Sequence, residues 1–175
     1  PILMLINAFA MLAGSGGAPR AAIFMGKKDN DTAERIIGNC FTFIIICAVV
    51  LTAVFYVSAP QLLRWFGASD ATLPYALSYA RIYILGSVFV LIVMAMNMFI
   101  TTQGFAKISM LTTVIGAVIN IVLDPIFIFV FNMGVRGAAL ATVLSQAVGA
   151  VWILHFLTGN KTILRLKKAN LRLDA

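Results

Sequence analysis

The stretch IIGNCFTFIIICAVVLTAVFYVSAPQLL, Ile36 to Leu63, runs for 28 residues without an Asp, Glu, Lys or Arg. Crossing the hydrocarbon of a bilayer takes about 20 helical residues. A membrane strand would be about 10 residues long and would alternate in polarity. This run does neither, so it reads as a membrane-spanning helix. Four more such runs flank it: Pro1 to Pro19, Ile82 to Ala106, Ile108 to Val135 interrupted only by Asp124, and Gly137 to Asn160. The expected fold class is therefore an all-α integral membrane protein with about five transmembrane helices, over about 1–25, 36–59, 75–101, 108–131 and 136–158. Residues 1–160 form the membrane part, and residues 161–175 form a basic tail.

Composition agrees. The 175 residues are 62% hydrophobic and 11% charged, against about 45–50% and 25% for soluble domains. The chain opens at Pro1 inside an apolar run, with no basic segment or cleavage site before Leu3, so it reads as a piece of a longer protein. Its net charge of +7 does not point to nucleic acid, because the basic residues sit at the ends of apolar runs and not on one folded face. Cys40 and Cys47 lie seven helical residues apart, roughly 10 Å. A disulfide needs Cα atoms within about 7 Å, so both read as small buried hydrophobes.

Lys and Arg set the orientation. The first connection, the third and the tail carry ten of them: Arg20, Lys27, Lys28, Arg35, Lys107, Lys161, Arg165, Lys167, Lys168 and Arg172. The opposite side has three, Arg64, Arg81 and Arg136. Loop 26–34 and tail 159–175 are thus expected in the cytoplasm. Asp31 or Thr32 is the expected N-cap of the second span. The tail, with Ile163, Leu164, Leu166, Leu171 and Leu173 among its cations, reads equally as an amphipathic stretch on an anionic leaflet or as a solvated linker. Arg81 with Tyr79 and Tyr83 fits an interfacial belt with a snorkelling cation.

Two spans carry small residues at every fourth position: Ala10, Gly14, Ala18, Ala22 and Gly26 in the first, Gly137, Ala141, Ser145 and Gly149 in the fifth. Such stripes let helix backbones approach closely. The fourth span places Thr112, Gly116, Asn120 and Asp124 at the same spacing, one polar-to-small face on an otherwise apolar helix. An ionised Asp at mid-span costs about 2.5–3.5 kcal/mol on insertion scales and marks ion or proton paths. Asn120, one turn earlier, is placed to donate to the carboxylate or to share a cation. Pro125 removes the donor for the Ile121 carbonyl and is expected to kink the helix. The structural alternative is that Asp124 sits near the outer interface and pairs with Arg136. Thr142 reaches toward the same cavity, although a membrane Thr commonly bonds its own backbone. His155 reads as an interfacial residue. The chain shows no nucleophile–base pair, metal-ligand cluster or phosphate loop. Gly14-Ser15-Gly16-Gly17 lacks the following Lys-Ser/Thr.

Asn120-x-x-x-Asp124-Pro125-Ile126-Phe127-Ile128, followed by Gly134-Val135-Arg136-Gly137-Ala138-Ala139-Leu140-Ala141-Thr142, resembles the fifth and sixth helices of the multidrug and toxic compound extrusion (MATE) transporters. Thr102-Gln103-Gly104 is similar to the close of their fourth helix, and Gly14 through Gly26-Lys27-Lys28 to their second helix and its loop. The resemblance covers the whole chain. It implies most of the N-terminal lobe of a twelve-helix, two-lobe, multi-pass protein of the cell (inner or plasma) membrane. It implies a secondary antiporter exporting cationic or aromatic drugs or toxic metabolites in exchange for Na⁺ or H⁺, with no cofactor and no enzymatic step. Asn120 and Asp124, joined by Thr142, map onto the coupling site, where Na⁺ is the one metal ion implied. Pro125 maps onto the helix bend. Thr112 and Gly116, by their place on the polar face of the fourth span, are cavity-lining candidates. The implied partners are small cationic substrates, lipid, the missing first helix with its acid, and the C-terminal lobe. The alternatives are a related flippase for lipid-linked saccharides and a membrane-embedded transferase.

Overall fold

Five apolar runs become six helices because the third run breaks at Gly86. The computed structural model describes residues 2–171. Its helices are α1 (Ile2–Gly26), α2 (Asn30–Trp65), α3 (Leu73–Leu85), α4 (Ser87–Thr102), α5 (Ala106–Pro125) and α6 (Val135–Thr158). A π-helical turn, Ile126–Val130, follows α5, and a 3-10 turn, Lys168–Leu171, closes the described chain. Four helices are long and apolar enough to span a bilayer, and α3 with α4, bent by 54°, make a fifth broken span. The all-helical membrane fold expected from composition is the fold adopted.

The span expected over 75–101 is present as a bent pair broken at Gly86. A Cβ at Gly86 would lie 2.5 Å from both methyl groups of Val143 on α6. The break therefore falls where Val143 of α6 packs directly on the chain. Breaking a helix strips carbonyls of their donors, and in lipid these must be satisfied within the protein. The Thr52 hydroxyl of α2 answers, 3.3 Å from the Ile84 carbonyl and 3.3 Å from the fully buried Ser87 hydroxyl.

Helix α4 is the centre of the bundle. Its Leu91, Met96, Phe99 and Ile100 are fully buried, packed by α1, α2 and α6. Gly14 and Gly17 of α1 admit this contact: a Cβ at Gly14 would meet the Ala95 backbone at 3.2 Å, and one at Gly17 would meet the Phe99 ring at 2.8 Å. The predicted stripe on α1 drifts, however. Ala10, Gly14 and Ala18 are buried, but next comes Ala21, while Ala22 is half-buried and Gly26 exposed. A step of four overshoots a 3.6-residue turn by about 40°, so a strict fourth-position pattern leaves the interface after a few turns. Over the shorter reach of α6, Gly137, Ala141, Ser145 and Gly149 are all buried. The outward faces are apolar and bare, with Val57 82%, Phe129 73% and Ile121 70% exposed. That is the surface lipid would cover.

The cap of α2 is Asp29, not Asp31 or Thr32. Its carboxylate accepts from the Thr32 amide at 3.2 Å and the Thr32 hydroxyl at 2.6 Å. The bonds from Thr32 hold the Asp29 carboxyl below its usual range. The turn is only three residues long, with Lys28 at φ 61°, so α2 starts at Asn30, six residues before its apolar run. At 36 residues it is about 54 Å long and outreaches a hydrocarbon core of about 30 Å. Arg81 is exposed and stacks over Tyr56 of α2 at 5.4 Å, while Tyr79 and Tyr83 stack on each other at 6.3 Å. Cys40 and Cys47 are free thiols, each half-buried.

The tail does not trail away. Leu164 is fully buried and Thr162 is buried, held by groups on α2, α4 and α6. Neither a stretch lying on lipid nor a solvated strand describes residues 162–167. Arg172 and Leu173 lie outside the described residues.

The close approach at Gly86 has a direct check. G86A is expected to cost about 1–3 kcal/mol by overpacking, seen as a lower thermal midpoint of the full-length protein in detergent. G86A combined with V143A should recover most of it. An unchanged midpoint for G86A would refute the contact.

Candidate polar site between α5 and α6

The polar face predicted on α5 turns toward α6 and borders a cavity of about 310 Å³. Thr112, Gly116 and Asn120 line it from α5, Thr142, Ser145, Gln146 and Gly149 from α6, and Val93 from α4. Thr112 is the one fully buried residue of α5, and its hydroxyl donates to the Ile108 carbonyl at 3.0 Å. Gly116 faces the Ser145 carbonyl, which a Cβ would approach no closer than 4.0 Å. The helix that carries this face lies at the edge of the bundle, packed against α4 and α6.

Asn120 and Thr142 meet across the helix pair. The Asn120 amide donates to the Thr142 hydroxyl at 3.4 Å, and that hydroxyl passes its own proton to the Ala138 carbonyl at 3.1 Å. The two bonds are compatible, since a hydroxyl has one proton and two lone pairs. The expected hydrogen bond from Asn120 to Asp124 does not form; the Asn120 amide turns to Thr142 of α6 instead. Asp124 sits one turn beyond, half-buried, outside the cavity lining, with its Oδ1 buried and without a partner. It makes no ion pair with Arg136. Among the described residues the one ion pair joins Lys167 and Glu34.

Pro125 acts differently from the sharp kink the sequence suggests. Lacking an N–H, it cannot serve the Ile121 carbonyl. The helix passes through it and then widens by one residue, with the Phe131 amide bonded to the Ile126 carbonyl at 3.0 Å. Such π turns accommodate an altered ladder and occur often at functional sites. The start of α6 presses on this turn. A Cβ at Gly137 would lie 2.7 Å from the Phe127 carbonyl carbon and oxygen. That closeness sets the register bringing Thr142 opposite Asn120.

Sequence reasoning missed Gln146 and assigned Ser145 to packing alone. The signal was present: Gln146 lies four residues after Thr142 and so shares its face. The Ser145 hydroxyl donates to the Thr142 carbonyl at 2.8 Å. Every polar atom around the cavity is oxygen or amide nitrogen, and no group of three or more His, Cys, Asp or Glu occurs among the described residues. Such a donor set suits hard cations and protons better than transition metals. His155, in the last turn of α6, is exposed and stands apart from this cavity.

Comparison with known proteins gives concordant matches. The sequence model of the MatE family matches residues 1–126. The chain is 30% identical over 164 residues to the multidrug export protein MepA of Staphylococcus haemolyticus, covering 93% of this chain and 36% of that protein. It is 27% identical over 172 residues to the probable multidrug resistance protein YoeA of Bacillus subtilis, covering 96% and 37%. It superposes on the inward-facing and the outward-facing conformations of a multidrug resistance MATE family transporter of the MOP superfamily, each at TM-score 0.92 and 30% identity. The match covers 98% of this chain and 39% or 38% of the transporter. The chain thus spans well under half the length of these relatives.

The α5–α6 register can be tested with two glycines. G137A should destabilise the full-length protein by about 1–3 kcal/mol, because the obstacle is backbone and cannot rotate away. G116A should be tolerated. Thermal unfolding of the two variants in parallel checks this, and equal midpoints would contradict it.

Proposed function

This chain belongs to the MatE family of membrane transporters, and from that membership we propose that it forms most of one lobe of a secondary antiporter exporting cationic or aromatic small molecules in exchange for Na⁺ or H⁺. Transporters of this family are not enzymes and need no cofactor. The observation that carries the ion-coupled reading is the Asp124 carboxylate: its Oδ1 is buried without a partner, one turn from the Asn120–Thr142 contact on a helix inside the apolar band.

An ionised carboxylate in that setting is costly, by about 2.5–3.5 kcal/mol on insertion scales. A proton neutralises it outright. A Na⁺ does so electrostatically, with the Asn120 carbonyl, the Thr142 hydroxyl and the Asp124 carboxylate as oxygen ligands. Either event favours a conformation in which the acid is buried, and release favours one in which it is wet. The π turn after Pro125 is the pliant element, because its ladder is already widened and a change of charge one residue away biases its register. A drug that prefers one conformation is then coupled to an ion that prefers the other, with no direct contact needed. A further helix of the longer protein, packed along α5, would supply the second acid of the site. Loop 26–34 and the tail lie on the cytoplasmic side, by the ten-to-three distribution of Lys and Arg.

A flippase for lipid-linked saccharides needs cations facing the cavity. Arg81, the cation that reading would use, stacks instead over Tyr56 on the exposed rim. A membrane transferase needs an acid beside His155, and that residue is exposed at the end of α6.

In the full-length protein, D124N is expected to reduce efflux of an ethidium-like cation at least about tenfold, a loss of roughly 1.4 kcal/mol or more of coupling, and to abolish its dependence on Na⁺ or pH. T142A should weaken that dependence less than N120A. Efflux and ion dependence left intact by D124N would refute the assignment. Movement of a lipid-linked oligosaccharide, with no cation efflux by the wild type, would favour the flippase.

A further inference from the structure

Four successive backbone amides after α6 are bonded to the bundle without belonging to a helix or strand. The Ile163 and Leu164 amides donate to Gln103 Oε1 at 2.9 and 3.0 Å. The Arg165 amide donates to Glu34 Oε1 at 3.2 Å, and the Leu166 amide to the Leu157 carbonyl at 3.0 Å. The Thr162 hydroxyl, with one proton to give, lies 2.8 Å from both Gln103 Oε1 and the Leu164 carbonyl. The other carboxylate oxygen of Glu34 pairs with Lys167 Nζ at 2.8 Å. Gln103, Glu34 and Thr162 are each 7% exposed, and Leu164 is fully buried.

A connector with no fixed place leaves its amides to water. Here two buried polar side chains, from the start of α2 and the end of α4, are spent on one extended segment. A buried acceptor is costly unless used, and Gln103 Oε1 accepts two successive backbone amides of the segment while its Nε2 has no partner. The side chain therefore serves the segment and not its own helix. A Cβ at Gly38 would collide with the Asn170 backbone, so the following turn is seated on α2 as well. The chain matches the inward-facing and outward-facing relatives equally well over 98% of its length, and the remainder is shorter than the clamped segment.

We propose that Gln103 and Glu34 are positioning residues that clamp residues 162–167 to this bundle throughout the transport cycle, so that the flexure between the two lobes lies beyond residue 167. This rests on the two-lobe antiporter reading. The clamp turns the chain leaving α6 from a tether into a part of the rigid body, and motion of the far lobe then cannot be absorbed by unwinding the end of α6.

Hydrogen exchange on the full-length protein in lipid nanodiscs tests the clamp without relying on transport, so failure of the clamp and failure of the antiporter reading are separable. The wild-type amides of residues 163–166 are expected to exchange at least about tenfold more slowly than open-loop amides. That protection should persist, at constant pH, with Na⁺ and with ethidium. Q103L, which removes the acceptor, should bring residues 163 and 164 to open-loop rates and leave α6 protected, and Q103E, which keeps the acceptor, should retain protection. Open-loop exchange in the wild type, protection in one ligand condition only, or unchanged protection in Q103L overturns the proposal. Should Q103L loosen α6 as well, E34M decides by the same criterion at Arg165.

Discussion

The seat of α6 against its neighbours governs the rest of this bundle. At Gly86 on α4's entry and at Gly137 on α6 itself, a single Cβ would fall 2.5 Å and 2.7 Å from the opposing atoms. Gly149 is nearly as tight, at 3.3 Å from Val93. In lipid there is little hydrophobic drive to bring helices together, so close packing of this kind does the work. Three features follow from it: the break in the third span, the π turn pressed by the start of α6, and the register that sets Thr142 opposite Asn120. Each depends on a glycine because a neighbour already fills the space a Cβ would take: the Val143 methyl groups at Gly86 and the Phe127 backbone at Gly137.

The polar site is a consequence of that register. Asn120 and Thr142 meet across two helices, and the amide turns toward Thr142 and not toward Asp124. The acid is left with a buried oxygen that has no partner among the described residues. In water that would be a minor defect. In an apolar band an ionised carboxylate is a large cost, and in the antiporter we propose its relief by a cation or proton would tie charge to shape. Pro125 adjoins this site for a related reason: a helix already missing one hydrogen bond is easier to rearrange than an intact one.

Much of this was legible in the residues. Charge-free runs of helical length named the spans, since no other structure hides its backbone from lipid. The spacing of Thr112, Gly116, Asn120 and Asp124 put them on one face, and the small residues of α6 marked its interface. The failures have physical causes. Asp29 caps α2 because a three-residue turn leaves no room for a later start. The α1 stripe drifts because 3.6 does not divide 4. Gly86 gave no sign of breaking a helix, since an isolated glycine is common in membrane spans. Leu164 and Thr162 lie in a basic stretch whose composition suits water or a leaflet, and no local pattern announces a Gln 59 residues away as their partner.

Local chemistry alone therefore determined that this chain is a membrane helix bundle with an acid in its fourth apolar run, because desolvation is a property of each segment by itself. Only the tertiary structure decided that Asn120 answers to Thr142 and not to Asp124, that the third span bends, and that the tail is held by Gln103 and Glu34. Those outcomes depend on which backbones come within contact distance, and that is set by the packing of all the helices together.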